Sequence, residues 1–256
     1  MRKKIIVMTI LIFYTVTTAI AISGHGYSWY YKPSNDGKQP EIISEASHFI
    51  DKYNTVYMGS PDEKCIYLTF DAGYENGNVE KILDTLKEKN VKAAFFVLPL
   101  LSKQNKDLLV RMKEEGHLVC NHTKSHRDMS AVTDLDVFKS ELIDAETIFK
   151  DSTGYDMDKF YRPPEGRFSE MNLKWADELG YTTVFWSLAY ADWDNNKQMN
   201  PKKALELISS RTHNGCVALL HPTSETNAVI LGEYIDRMRS QGYKFCSLTD
   251  FEKAGE

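Results

Sequence analysis

From Ile66 onward the chain alternates short apolar runs with longer stretches of helical periodicity, and this alternation constrains its fold more than any other feature. The apolar runs fall at 66–70, 93–97, 118–120, 159–161, 182–186, 217–220 and 244–247. Recognisable helix ends lie between them. Thr133-x-x-Asp136 has the form of a capping box before a long helix that stops near Gly154. Ser169 caps a helix closed by Gly180, and Asn200-Pro201 places a cap directly before a proline at the first helical position. Thr249-x-x-Glu252 caps a last short helix. Strands that alternate with helices imply a parallel sheet. About seven such units in roughly 200 residues predict an α/β fold that is a distorted, incomplete (β/α) barrel, with a doubly wound open sheet as the competing topology.

The N-terminus sets the compartment. Met1-Arg2-Lys3-Lys4 is basic, residues 5–22 carry no charged side chain, and Ala19-Ile20-Ala21 supplies small residues. Residues 1–23 therefore read as a signal peptide or an N-terminal membrane anchor, because the apolar stretch nearly matches the roughly 20 residues that span a bilayer. Either reading exports the remainder, since Lys and Arg stay on the cytoplasmic side. Residues 24–60 read as an arm and helix, and 61–256 as the main domain. Within the first of these, 24–40 reads as a linker or extended arm with a Trp29-Tyr30-Tyr31 cluster. The spacing of Ile42, Ile43, Ala46, Phe49, Ile50 and Tyr53 predicts a short amphipathic helix over 40–53. The net charge of -5 argues against nucleic acid as a partner. Export permits disulfides, but Cys65, Cys120, Cys216 and Cys246 each sit in or beside an apolar run, so buried free thiols are the expectation. Their wide spacing excludes a cysteine metal site.

In either parallel topology, functional side chains gather at the carboxyl ends of the strands. The polar residues that follow each apolar run are informative: Asp71-Ala72-Gly73-Tyr74 after the first, His122-Thr123-Lys124-Ser125-His126 after the third, Arg162-Pro163-Pro164-Glu165-Gly166-Arg167 after the fourth, Asp192-Trp193 beyond the fifth, and His221 after the sixth. Each has a bland reading alone. Asp71 suits a turn, Arg162 and Arg167 suit a solvated surface, Trp193 suits a core, and a lone His221 suits a satisfied core imidazole. Their shared location favours a reaction centre. His122-x-x-x-His126 allows two imidazoles to reach one divalent ion, and Pro163-Pro164 stiffens the loop that carries Arg162. Trp193 beside a sheet mouth can stack on a sugar face.

These segments, taken in order across roughly 64–251, resemble the motifs of the polysaccharide deacetylase family, carbohydrate esterase family four. Thr69-Phe70-Asp71-Ala72-Gly73 is similar to the family's Thr-Phe-Asp-Asp-Gly, with one departure: Ala72 stands where most members carry an aspartate that ligates the metal. The longer string through Tyr74-Glu75-Asn76-Gly77 resembles the muramic δ-lactam-forming subgroup, which acts on N-acetylmuramic acid in peptidoglycan on the way to the spore cortex. The resemblance implies a divalent metal, most readily Zn2+, on His122 and His126, and weak binding because Ala72 cannot coordinate. Glu75, Asn76 and Asp128 are the nearby residues in sequence from which a replacement ligand would come. It further implies Asp71 as general base, Arg162 holding Asp71 through a bidentate pair, the Tyr74 backbone N–H in an oxyanion hole, His221 as general acid and Asp192 as its orienting partner. Trp193, Pro163 and Arg167 would contact substrate, with Arg167 the candidate to read the lactyl carboxylate of muramic acid. The implied partner is the peptidoglycan glycan strand, acted on after an amidase has removed the stem peptide. Three alternatives stay open: deacetylation of N-acetylglucosamine or chitooligosaccharide, an esterase on acetylated xylan, and an inactive glycan-binding homologue suggested by Ala72.

Overall fold

The computed structural model describes residues 25–34, 36–42 and 45–251, and the leader or anchor segment 1–23 lies outside them. An N-terminal arm supplies β1 (Gly26–Ser28), β2 (Tyr31–Lys32) and β3 (Glu41–Ile42), followed by β4 (Thr55–Val56). Next come β5 (Cys65–Ala72), α1 (Val79–Glu88), β6 (Ala94–Val97), α2 (Pro99–Gln104), α3 (Lys106–Glu114), β7 (Leu118–Asn121) and α4 (Leu135–Thr153). The chain continues through β8 (Asp158–Tyr161), β9 (Arg167–Ser169), α5 (Glu170–Glu178) and β10 (Thr182–Val184). It ends with α6 (Pro201–Arg211), β11 (Cys216–Leu220), α7 (Glu225–Ser240) and β12 (Lys244–Cys246). Each of the seven predicted apolar runs contains a strand.

The main sheet has eight strands in the order β11-β5-β6-β7-β8-β10-β4, with β12 also on β5. All its pairings are parallel. It is a curled, incomplete (β/α) barrel, as the alternation predicts. β4 adds an edge strand that its two residues were too few to announce. Strand β11 covers one edge of β5 from Ile66 to Phe70, so the other edge is shared end to end by β12 at Cys65–Tyr67 and β6 at Thr69–Ala72. With both edges and both faces covered, β5 reads as an unbroken apolar run. Ile66, Leu68 and Phe70 pack with residues of α1 and α7 such as Val79, Ile82, Leu231 and Tyr234. Cys65 and Tyr67 join Val56, Phe96 and Val217 on the opposite side. Each fully buried side chain such as Phe70 or Phe95 contributes about 1.5–3 kcal/mol. Side chains alternate along a strand, so Thr69 and Asp71 share the inner face with Cys65 and Tyr67.

Several local expectations are corrected. Cys65 and Cys246 form a disulfide, while Cys120 and Cys216 are buried free thiols. The pairing was not readable from spacing because it depends on β12 lying beside β5, which brings together residues 181 apart in sequence. Among the described residues of 40–53 there is no α-helix. Glu41–Ile42 is held in a strand pair with Tyr31–Lys32, turns follow, and only Ile50–Lys52 makes a 3-10 turn, closed by a Thr55 hydroxyl that donates to the Ile50 carbonyl at 2.7 Å. Ala46, Phe49 and Ile50 are nevertheless buried, together with Trp29, Phe168 and Phe185. The arm is packed rather than a free linker: β1 pairs antiparallel with β9, and the Trp29 indole N–H donates to the Trp186 carbonyl at 2.9 Å. The cap of α4 is Asp134, which accepts from the Asp136 and Val137 amides, one residue beyond the predicted Thr133. At the C-terminus Ser247 caps a 3-10 turn at Leu248–Asp250, and Glu252 lies outside the described residues. The expected ends at Gly154, Ser169 and Asn200-Pro201 are present.

Candidate active site

Asp71 projects from the carboxyl end of β5, and its anchor is Arg162, which directly follows β8. The guanidinium is fully buried and donates through Nη1 to Asp71 Oδ1 at 2.7 Å, through Nη2 to the Thr69 hydroxyl at 2.8 Å, and through Nε to the Val184 carbonyl at 3.1 Å. It also lies over the Phe96 ring at 4.1 Å. The expected bidentate grip on Asp71 is therefore a single bond, because Thr69 takes the second nitrogen. This leaves Asp71 Oδ2 turned toward His122, 3.6 Å from Nε2. Burial alone would raise the Asp71 carboxyl, but the Arg162 guanidinium, with the neighbouring His122 and His221 imidazoles, outweighs it and holds it below the usual carboxylate range.

His122 and His126 occupy the loop after β7. His122 Nδ1 lies 2.9 Å from the Arg162 carbonyl, which can only accept, so Nδ1 carries the proton and Nε2 presents its lone pair. Burial lowers the His122 imidazole to about 4, so the ring is neutral near pH 7. A lone pair then faces an anionic oxygen, an arrangement that a cation between or beside them would satisfy. The His126 ring is 5.1 Å from that of His122, centroid to centroid. The loop is held in an uncommon backbone conformation, with Thr123 at φ 70° and His126 at φ 54°. Asn121 Oδ1 accepts the Thr123 amide at 2.9 Å, and the Thr123 hydroxyl accepts the His126 amide at 3.0 Å. From α4, buried Glu141 receives the Ser125 amide at 2.9 Å and its hydroxyl at 2.7 Å. The donor set thus suits a divalent ion at two imidazoles with Asp71 adjacent. Among the described residues no group of three or more His, Cys, Asp or Glu is arranged to hold a metal. Ala72 is fully buried in the apolar cluster. Of the residues near in sequence, Asp128 caps Ser130 and pairs with Arg167, and Asn76 donates to the Thr223 carbonyl.

His221 leaves the end of β11. Asp192, almost fully buried, accepts the His221 backbone amide at 2.8 Å and lies 2.7 Å from the ring Nδ1. Asn227 donates to the same carboxylate at 2.6 Å, and its own carbonyl oxygen accepts the Tyr190 hydroxyl. Burial would lower the His221 imidazole, but the Asp192 bond and charge more than offset that, with Asp71 adding to them, so its pKa is raised. Asp71, Tyr74, His122, His126, Trp193 and His221 all line one cavity of about 950 Å³. The backbone N–H of Tyr74 has no hydrogen-bond partner among the described residues. Its side-chain hydroxyl accepts from Asn195 at 2.6 Å. Trp193 is 61% exposed, and its ring sits 6.3 Å from that of His221. Pro163 is buried and does not line the cavity. Nor does Arg167, which pairs with Asp128 at 2.8 Å and Glu165 at 3.1 Å.

The supports Thr69, Asn121, Glu141 and Asn227 were not singled out in the sequence. For Glu141 a signal existed: it is an acidic residue set in the apolar stripe Phe138, Leu142, Ala145 and Phe149 of α4. Asn227 gave none, because its role depends on how α7 docks.

Residues 58–184 match the polysaccharide deacetylase family. The chain is 40% identical over 238 residues to the peptidoglycan-N-acetylmuramic acid deacetylase PdaA of Bacillus subtilis, covering 92% of this chain and 90% of that protein. The solved structure of B. subtilis PdaA, a family 4 carbohydrate esterase, superposes with a TM-score of 0.86 at 38% identity, covering 90% of this chain and 98% of the other. A family 4 pseudoenzyme from Bacillus anthracis aligns with a TM-score of 0.71 at 26% identity, over 78% of this chain and 70% of its own. Deacetylases of the matched family are metal-dependent.

Proposed function

The chain belongs to the polysaccharide deacetylase family, and from that premise we propose that it hydrolyses the acetamide of N-acetylmuramic acid in peptidoglycan. What carries the reading is the meeting of the Asp71–Arg162 pair, the His122–His126 pair and the Asp192–His221 pair around one cavity. His122 and His126 would hold a divalent ion, zinc for preference, which would supply Lewis acidity toward the acetyl carbonyl and lower the pKa of an attacking water. Asp71, kept ionised by Arg162, takes the proton of that water through Oδ2, the oxygen that Arg162 leaves free. The Tyr74 N–H receives the developing oxyanion. His221, kept protonated by Asp192, donates to the departing sugar nitrogen, which a free amine anion could not leave without. Trp193 offers an exposed aromatic face to a sugar ring.

With two imidazoles in place of the three ligands usual for catalytic zinc, the ion is weakly held and chelators remove it readily. Nanomolar zinc affinity in a calorimetric titration would contradict this. The basic and apolar N-terminus supports export, as a secreted protein or one anchored on the outer face of the cytoplasmic membrane. The Cys65–Cys246 disulfide suits that oxidising setting. A role in spore-cortex δ-lactam formation, after an amidase has cleared the stem peptide, is part of the same proposal, and the likeness of the Tyr74-Glu75-Asn76-Gly77 string to the δ-lactam-forming subgroup supports it.

The test is mass spectrometry of glycan fragments after incubation with and without added zinc. Acetate lost from muramic residues supports the proposal, and acetate lost only from glucosamine residues replaces it with that alternative. Ala72, together with the existence of a pseudoenzyme of the same fold, favours one second reading, an inactive glycan binder. No acetate release from any strand, with binding retained, would establish that reading. Release that disappears in Asp71→Asn excludes it.

A further inference from the structure

The cavity that holds the reaction centre extends to a wall formed by Tyr31, Pro33, Ala189 and Arg211. Arg211 is the last residue of α6, where a cation complements the helix C-terminus. That alone would leave it in solvent, yet its Nε is buried with no hydrogen-bond partner. Every other arginine among the described residues is engaged. Five pair with a carboxylate, and Arg239 lies over the Phe245 ring at 5.9 Å. No described carboxylate, hydrogen-bond acceptor or aromatic face engages Arg211. Its neighbour Tyr31 is already occupied, since that hydroxyl accepts the Ala189 amide at 2.6 Å and donates to the Ala189 carbonyl at 3.0 Å. Among the described residues, the one acidic side chain that lines the cavity besides Asp71 is Glu165, which Arg167 binds at 3.1 Å. A buried guanidinium donor without an acceptor is costly to keep, and a planar fork that faces a cavity matches a carboxylate in two places at once.

We propose that Arg211 is a specificity-determining residue that binds a lactyl carboxylate of the glycan strand as it lies along the cavity. This rests on the peptidoglycan reading above and deepens it. A strand freed of its stem peptides carries a bare carboxylate on each muramic residue, whereas chitin-like strands carry none and peptide-bearing strands have converted it to an amide. Arg211 thereby selects the peptide-free strand, the role that the sequence assigned to Arg167.

The test uses the full chain with three defined muramic oligosaccharides: free lactyl groups, lactyl groups capped as simple amides, and lactyl groups bearing peptides. Wild type is compared with Arg211→Gln, Arg211→Lys and Arg167→Ala. Loss of one charge-assisted pair predicts that Arg211→Gln raises KM for the free-carboxylate strand by about ten- to a hundredfold. Its kcat should be kept, and the amide strand treated as wild type treats it. Arg211→Lys recovers part of the loss, and Arg167→Ala changes nothing. Equal effects on free and capped strands, or no effect, overturn the proposal. If Arg211→Gln does not fold, wild type decides: it must prefer the free over the amide-capped strand by a similar factor, and absence of preference refutes the subsite. A stronger preference for the peptide-bearing strand would assign Arg211 to the peptide carboxylates instead, and also overturns it. Should wild type fail to deacetylate muramic residues at all, the functional proposal falls. The subsite is then judged by equilibrium binding of the free and capped strands to wild type and Arg211→Gln.

Discussion

Replacing Asp192 with asparagine separates charge from shape at the proposed general acid, His221. The carboxylate serves three donors: the His221 ring at 2.7 Å, the His221 amide at 2.8 Å and Asn227 at 2.6 Å. A hydrogen bond to a charged group contributes about 1.5–3 kcal/mol. With about 1.4 kcal/mol per pKa unit, removing the charge should lower the His221 pKa by about one to two units. His221 is raised in the folded protein. Its contribution to stability is therefore full below the unfolded imidazole value and is lost as pH rises through the folded value. The protonated acid needed for amine departure is lost over the same interval. Acetate release measured across pH should show the alkaline limb of kcat/KM moving toward acid by those one to two units in Asp192→Asn, with most activity retained on the acid side. The amide can accept from the ring or from the two N–H groups, and the face left over sets donor against donor at a cost of about 1–3 kcal/mol. Circular dichroism at the assay temperature must therefore confirm a folded variant. A uniformly slower enzyme with an unmoved pH profile would show that Asp192 does no more than place the ring.

Arg162→Lys keeps the charge but cannot serve Asp71, Thr69 and Val184 together, so kcat/KM should fall by at least about a hundredfold. Near-wild-type turnover of acetylated substrate would disprove that need for a fork. Glu141→Gln deprives Ser125 of one of two acceptors, and zinc titration should report an affinity lower by about ten- to a hundredfold. An unchanged isotherm would mean the loop holds its shape without Glu141. Cys246→Ser should lower unfolding stability by about 2–5 kcal/mol in urea melts, and reduction of the wild type should reproduce the loss. A reductant-insensitive melt would count against the covalent link.

The side chains of the candidate site were readable because each lies a residue or a short loop past an apolar run, and a parallel sheet delivers such positions to one end. Asp71, His122, His126, Arg162, Asp192 and His221 all follow that rule. What escaped depends on neighbours that no local pattern specifies. The Cys65–Cys246 bond requires the placement of β12 along the part of β5 that β6 leaves open. The helix predicted over 40–53 had the right apolar spacing, but strand pairing at Glu41–Ile42 claimed its first turn. Arg162 was expected to grip Asp71 with both nitrogens, and Thr69, two residues back on the same face of β5, competes for one of them. Arg167 was singled out because it neighbours a motif, whereas its two acidic partners come from the surrounding loops.

The stretch that matches the family itself, 58–184, stops short of Asp192 and His221 and begins after Tyr31 and Pro33, whereas the likeness to PdaA covers 92% of the chain. The arm is also keyed into the Arg162 loop. A methyl group at Gly166, which sits at φ 66°, would come within 2.8 Å of both Trp29 and Trp186. A fragment trimmed to 58–184 would keep Asp71, Arg162 and both imidazoles of the pair, yet would lose the proposed proton donor, one wall of the cleft and the tryptophan that Gly166 accommodates. Exchange of this enzyme between proteins as a working module therefore requires the arm and the C-terminal third to travel with the recognisable middle.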